Sequence, residues 1–338
     1  MNQETGQIGD TSGPWRVDLF RPEDGPGVAR VFTTVYGQGY PVRTFIEPER
    51  LVAENAAGRT ISSVARVPGG RVVGHNALFN SAPFEGLFES GAGAVLPEYR
   101  GGGVFTALVA HGQQVAAGRP NVAAIFGESV CHHLFSQKLT SSLGWVTMAF
   151  EADLMPARAY DREKSAAGRV SAVLDFLTLR PRPHLVYLPV RYEEVLRFLY
   201  EGLKDRRELR PSQDIPAARV ETSVRAEVFD FAQVARLAVL EAGADFPSVL
   251  AREEERAADR GARVFQVWLK LTRPHVGRLA EILNEHGYFL GGLLPRWFDD
   301  DGLLMQKLLD PPNFGEVRLH TARAEQLFEY IKSDCPWG

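Results

Sequence analysis

Val95-Leu96-Pro97-Glu98-Tyr99-Arg100-Gly101-Gly102-Gly103-Val104-Phe105 carries the end of an apolar strand into three glycines and then directly into a helix. Consecutive glycines let the backbone approach a ligand closely and turn N–H groups towards it. The helix opening at Val104 adds unpaired donors and a partial positive charge, and Arg100 adds a full one. Together they make an anion site suited to a pyrophosphate. No Gly-Lys-Ser/Thr follows, so this is not a Walker loop, and no ribose-binding acid stands behind a GxGxxG. The candidate ligand-holding residues are Val95, Leu96, Arg100, Gly101, Gly102, Gly103, Val104, Phe105 and Thr106. A flexible glycine turn is the bland alternative.

Working outward, residues 15–20 alternate as a strand, and Arg21-Pro22-Glu23-Asp24 opens a helix with Val28, Val31 and Phe32 on one face. A second helix starts at Pro48 and stops at Gly58. Strands at 60–67 and 71–80 flank the hairpin signal Pro68-Gly69-Gly70, and 86–96 is a further strand. Beyond the glycines come a helix at 104–117, a strand at 122–127, a helix at 130–143 ended by Gly144, and a final strand at 145–154. The order is βααβββαβαβ, a mixed α+β fold. Residues 162–177 read as another helix, and Arg180-Pro181-Arg182-Pro183 as the interdomain connection.

A second organised region begins near Leu185. It reads as a strand, a helix at 192–203, a charged loop at 204–218, a strand at 220–229 and a charged helix at 246–260. A strand at 264–271, a helix at 274–286 and strands at 288–295 and 303–308 follow. VAAIFGESVCHHLFSQKLTSSLGWVTMAF and VFQVWLKLTRPHVGRLAEILNEHGYFLGGLL share one plan: strand, polar loop, helix, Gly-aromatic, strand. That suggests a duplicated half-fold, although any αβ unit with a glycine cap looks similar.

The chain has 338 residues, 45% hydrophobic and 24% charged, which is ordinary for a globular protein of about two domains. Its 32 Gly and 21 Pro follow no fixed period. With 38 basic and 42 acidic residues the net charge is -4, so no bulk field attracts nucleic acid or anionic lipid. Cys131 and Cys335 are too few for a disulfide framework or a cysteine-rich zinc site. No apolar run nears the ~18 residues of a membrane span. Residues 1–13 are polar, lack Lys and Arg, and read as a loose tail on a cytoplasmic protein. No metal is expected at Cys131-His132-His133, because adjacent helix residues point about 100° apart. Asp299-Asp300-Asp301-Gly302 reads as a solvated turn rather than a calcium loop.

The glycine loop and the element order resemble the GNAT (Gcn5-related N-acetyltransferase) superfamily over roughly residues 15–154. The family signature is Arg/Gln-x-x-Gly-x-Gly/Ala; Arg100 and Gly103 match it, and Phe105 departs from its last position. The resemblance implies an acyl-CoA bound at this loop, acetyl-CoA or another, with its pantetheine arm between splayed fourth and fifth strands. Ser90-Gly91-Ala92-Gly93-Ala94 on the fourth strand either leaves room for that arm or packs tightly on a helix. Two positions in the family's fourth helix, an Asn for the arm and a Tyr acid, fall on His133 and Thr140. His133 is left as the candidate for an arm contact or a proton donor.

An amine acceptor must lose a proton before attacking a thioester, and a half-buried carboxylate can take it. Glu89 stands eleven residues before Arg100, the offset of the catalytic glutamate in the family's histone-type branch. Glu128 is the second candidate, and Tyr36 and Tyr40 are candidates to face the acceptor.

The resemblance thus implies a GNAT domain at 14–157, a connecting helix and linker at 158–183, and a degenerate second GNAT-like copy at 184–338 without a CoA loop. It implies an N-acyltransferase acting on a small amine, with no nucleic-acid or membrane partner. Two alternatives stay open: an aminoacyl-tRNA-dependent tandem transferase and a non-catalytic acyl-CoA sensor.

Overall fold

The computed structural model describes residues 14–157, 168–213 and 220–337. The expected tail at 1–13, residues 162–167 of the expected helix and residues 214–218 of the expected loop lie outside the described residues. The chain divides into two units, residues 1–79 with 90–119, and residues 80–89 with 120–338.

The first unit contains β1 (Arg16–Leu19), α1 (Gly25–Tyr36), α2 (Pro48–Ala56), β2 (Thr60–Arg66), β3 (Val72–Phe79), the second half of β4 (Leu87–Val95) and α3 (Val104–Ala117). The strand order is β1-β2-β3-β4, with β1, β2 and β3 antiparallel in turn. The apolar face of α1 read from sequence packs here: Val28, Val31 and Phe32 are fully buried with Leu51, Val64, Val73 and Leu108. Arg66 reaches back from β2 to Asp24 at the head of α1, with Nε to Oδ1 at 2.8 Å.

The second unit begins with the first half of β4, then β5 (Ala124–Val130), α4 (Phe135–Ser142), β6 (Val146–Pro156) and β7 (Arg169–Thr178). It continues with β8 (His184–Leu188), α5 (Glu193–Glu201), β9 (Arg207–Pro211), β10 (Ser223–Phe229), β11 (Val234–Glu241) and α6 (Phe246–Asp259). It ends with β12 (Val264–Lys270), α7 (Val276–Glu285), β13 (Phe289–Leu294), β14 (Gly302–Leu308) and α8 (Ala322–Asp334). Its large sheet has the order β4-β5-β7-β6-β13-β14-β12-β11-β10, and β8 pairs separately with β9.

That order contains one topology twice. β4 is parallel to β5, β5 antiparallel to β7, and β7 antiparallel to β6. Likewise β11 is parallel to β12, β12 antiparallel to β14, and β14 antiparallel to β13. Both last strands shift register at the same place, between Thr147 and Ala149 and between Leu290 and Gly292. The two runs meet where β6 and β13 pair antiparallel at Ala149 and Gly292. The Gly-aromatic caps, Gly144-Trp145 and Gly287-Tyr288, match too, with φ of 81° and 84° at the glycines.

The seam is narrow. Gly292 has φ 128°, and a Cβ there would lie 2.6 Å from the Ala149 Cα. Buried Gln306 on β14 ties both sides. Its Nε2 donates to Phe150 O and Leu290 O at 3.1 Å each, and its Oε1 accepts from Ala152 N at 2.8 Å.

Several expectations are corrected. Within 162–177, residues from Arg169 onward form a strand rather than a helix. It is buried on both faces, so its apolar run lacks the alternation that marks a half-exposed strand. The segment expected to connect domains therefore supplies a strand of the sheet, between β5 and β6. The helix expected at 130–143 starts only at Phe135, because β5 continues through Val130. β9 occupies part of the expected charged loop, and β11 and α8 are additions. The expected solvated turn at 299–302 holds a fully buried Asp301, which accepts from Arg207 Nε at 2.6 Å, Tyr200 Oη at 3.0 Å and Arg296 N at 2.9 Å. Among the described residues, no helix is long and apolar enough to cross a membrane.

Gly292→Ala should force β13 off β6, combining a left-handed φ with a backbone clash. We expect a loss of about 2–4 kcal/mol, read as a lower urea midpoint at unchanged m-value. Gly315→Ala, at a glycine with open space around it, should leave the midpoint unchanged.

Candidate active site

In the first unit, β4 ends at Val95, a short turn of 3-10 helix covers Pro97–Tyr99, and the glycines lead into α3. Gly101 and Gly103 have φ of 79° and 77°, the left-handed region that glycine enters without a Cβ penalty. A Cβ at either position would meet nothing within 4 Å, so both face open space. Gly103 is the N-cap of α3, and the first turn of any helix presents N–H groups without intrahelical partners. Arg100 and Thr106 are exposed beside them, while Val95, Leu96 and Val104 are buried and anchor the loop. Leu96 N donates to Val73 O at 3.0 Å, and Arg100 Nε donates to Val95 O at 3.2 Å. This is a cradle of backbone donors with an adjacent cation, and it fits a pyrophosphate.

Phe105 turns its ring onto β4, where a Cβ on Gly93 would lie 2.3 Å from it. At Gly93, helix packing accounts for the small residue. Ala92 beside it has φ 47°, a break in the strand. His75 braces that break from β3: its Nδ1 bonds Ala92 O at 3.0 Å and its Nε2 bonds Ser62 Oγ at 2.9 Å. A carbonyl only accepts, so Nδ1 carries the proton. Burial holds this imidazole down at about 4, hence neutral. Tyr36 donates to Gly93 O at 2.7 Å and stacks on Tyr40, with ring centroids 5.0 Å apart.

The second unit holds the carboxylates. The parallel ladder of β4 and β5 covers only Leu87–Glu89 against Ala124–Phe126, although β5 runs on to Val130. Glu89 lies at its end, half-buried, and its Oε2 accepts from Ser81 Oγ at 2.6 Å. Glu128 follows on β5 and Glu151 on β6. Arg236 on β11 donates through one terminal nitrogen to Glu128 Oε1 at 2.9 Å and Glu151 Oε1 at 3.2 Å. Its Nε donates to Gln266 Oε1 at 2.8 Å, and Gln266 Nε2 donates to Glu151 Oε1 at 2.9 Å. The Glu151 side chain is 2% exposed, and its Oε2 has no hydrogen-bond partner.

One guanidinium thus faces three carboxylates. Burial pushes Glu89 up to about 7, with Glu128 adding to the rise and Ser81 and Arg236 pulling against it. Burial and Glu128 likewise push Glu151 up to about 8, against Arg236 and Gln266. A carboxylate titrating near neutrality can accept a proton and hold it.

His133 lies before α4 rather than in it, with Phe135 N 3.4 Å from its Nδ1 and its ring 4.5 Å from that of His132. Thr140 is buried and donates to Asp175 Oδ2 at 2.7 Å, which fits a structural role better than an acid. Cys131 is buried, and burial raises its thiol.

The equivalent of the glycine loop in the second run differs. The turn between β11 and α6 is filled: a Cβ on Gly243 would lie 1.8 Å from Val220 O. Asp245, accepting from Thr222 N at 3.0 Å, stands at the N-terminus of α6.

Sequence reasoning missed Arg236, Glu151 and Gln266. Their signal was a polar side chain in the interior of an otherwise apolar stretch of each strand, VARLAVLE, VTMAFEADLMP and VFQVWLK.

No family model matches the sequence, and no curated protein matches it. Solved structures do. The ribosomal-protein-S5-alanine acetyltransferase from Vibrio fischeri aligns at 16% identity and TM-score 0.40, over 49% of this chain and 93% of that one. A putative acetyltransferase from Salmonella typhimurium, solved with acetyl-CoA, aligns at 14% and 0.40, over 50% and 96%. A spermidine/spermine N-acetyltransferase from Vibrio cholerae aligns at 12% and 0.39, over 49% and 95%.

The raised carboxyls make stability fall with pH. Between the ordinary 4.5 and about 8, the folded chain keeps a proton on Glu151 that the unfolded chain has released. Each such proton costs up to about 1.4 kcal/mol per pH unit over that window. Glu151→Gln keeps both Oε1 contacts and removes the titration. Its urea stability from pH 5.5 to 8.5 should be flatter than wild type and higher at pH 8; a parallel curve would refute the assignment.

Proposed function

We propose that the protein is an acyl-CoA-dependent N-acyltransferase of the GNAT type, acting on a small amine-bearing acceptor in the cytoplasm. The observation that carries this is the loop at 100–106, where Gly101 and Gly103 hold left-handed φ over open space at the head of α3. Its backbone donors and Arg100 would hold the donor's pyrophosphate. When bound, the donor, acetyl-CoA or another acyl-CoA, supplies the acyl group as a thioester.

Glu89 would take the proton from the acceptor ammonium, leaving a free amine to attack. A group that titrates at about 7 is matched to that task near neutral pH. Glu128 holds Arg236 and is the secondary candidate for the base. With Thr140 engaged by Asp175, the leaving thiolate would take its proton from solvent, as its ordinary acidity of ~8.5 permits. His133 keeps a candidate role near the donor's arm, and Tyr36 and Tyr40 near the acceptor.

The region from residue 184 onward acts in this reading as a degenerate copy without its own CoA site. The filled turn at Gly243 and the acid Asp245 support that, because both oppose a pyrophosphate. A non-catalytic acyl-CoA sensor would need no proton acceptor, so the placement of Glu89 favours the transferase.

Two measurements test this. Calorimetry with CoA should give about one site per chain. Gly103→Asp, which sets an anion in the cradle, should abolish it; undiminished affinity or a second site would overturn the loop assignment. In acyl transfer from acetyl-CoA to a panel of amines, Glu89→Gln should lower the rate roughly 10²–10⁴-fold with CoA binding retained. An unchanged rate would remove Glu89 as the base.

A further inference from the structure

Glu89 stands on β4 opposite Phe126, the third residue of β5. In the second run, Arg236 stands on β11 opposite Gln266, the third residue of β12. The β5–β7 and β12–β14 ladders both start at the first residue of the middle strand, Ala124 with Thr178 and Val264 with Leu308. Arg236 therefore holds, in the second run, the place that Glu89 holds in the first. Its guanidinium crosses to Glu128 and Glu151 of the first run, guided by Gln266 and by the Phe229 and Trp268 rings, 5.3 and 5.8 Å from its Cζ.

We propose that Arg236 is a positioning residue, supplied by the second run, which ties down Glu128 and Glu151 and thereby keeps Glu89 available to accept the proton of the acceptor amine. This rests on reading Glu89 as the base. Among the described residues, the charged groups of the cluster are Glu89 on β4, Glu128 on β5, Glu151 on β6 and Arg236 on β11; Glu227 on β10, the register partner of Arg236, is exposed. With Arg236 in place, Glu128 has a partner for its charge. Without it, the half-buried Glu128 and the buried Glu151 would stand beside Glu89 with no cation, and a proton would be drawn onto Glu89, blocking it. A purely structural arginine would leave the titration of Glu89 where it is.

The test does not need the natural acceptor. Full-length protein labelled with [13Cδ]glutamate is titrated by NMR, and the Glu89 signal is assigned by its loss in Glu89→Gln. Arg236→Gln should move the Glu89 midpoint up by about one pH unit, and Glu128→Gln should move it down by a similar amount. Arg236→Lys, which keeps the charge, should restore most of the first shift. An unmoved midpoint in Arg236→Gln overturns the proposal. If that variant does not fold, an unmoved midpoint in Glu128→Gln overturns it instead. The base reading fails separately: Glu89→Gln would then transfer acyl groups at the wild-type rate, whatever the titrations show.

Discussion

The close approach of Gly292 to Ala149 fixes the second unit. Two runs of the same topology end in bulged strands, and those strands meet edge to edge at this one pair. A side chain at Gly292 would strike backbone, so only glycine allows the sheet to continue across the seam. Gln306 then satisfies Phe150 O, Leu290 O and Ala152 N around it. These buried polar groups would otherwise be left unpaired at a cost comparable to the contact itself.

Continuity across the seam brings the second run's chemistry to the first. β11 is distant from β5 and β6 in sequence, yet Arg236 lies 2.9 Å from Glu128 and 3.2 Å from Glu151. A buried ion pair is weak evidence for stability, because desolvation offsets much of the attraction. Here the charges do not balance, since three carboxylates face one guanidinium. Burial, with the uncompensated charge of Glu128 adding to it, keeps Glu89 and Glu151 near neutral titration, where proton exchange is easiest. The buried network at Asp301, by contrast, pairs it with Arg207 and holds its carboxyl well below the usual range, despite burial. Its arrangement is that of an anchor rather than a proton acceptor.

The two runs differ in the turn that leads into the helix. Before α3 the chain leaves left-handed glycines over open space; before α6 it packs Gly243 against Val220 and sets Asp245 at the helix N-terminus. The strand order is the same in both, while the second turn has neither the room nor the sign of charge of the first.

Local sequence was enough for the glycine loop, α1 with its buried face, the hairpin at Pro68-Gly69-Gly70 and the matching Gly-aromatic caps. Each depends on a few neighbouring residues whose φ, periodicity or missing side chain dictates the conformation. Glu89 and Glu128 were singled out from sequence as candidate acids, Glu89 by its offset from Arg100 and Glu128 by its place after an apolar run. β7 was not, because a strand buried on both faces carries no alternation and resembles a buried helix. Nor was α4's late start, which is set by β5 pairing through Val130 with Ala172 on β7. Above all, the sequence by itself determined where glycine turns and chargeable side chains stand along the chain. Tertiary structure alone decided that Arg236, Gln266 and Glu151 share one site, because strands far apart in the chain become neighbours only through long-range pairing across the sheet, and no local signal encodes that pairing.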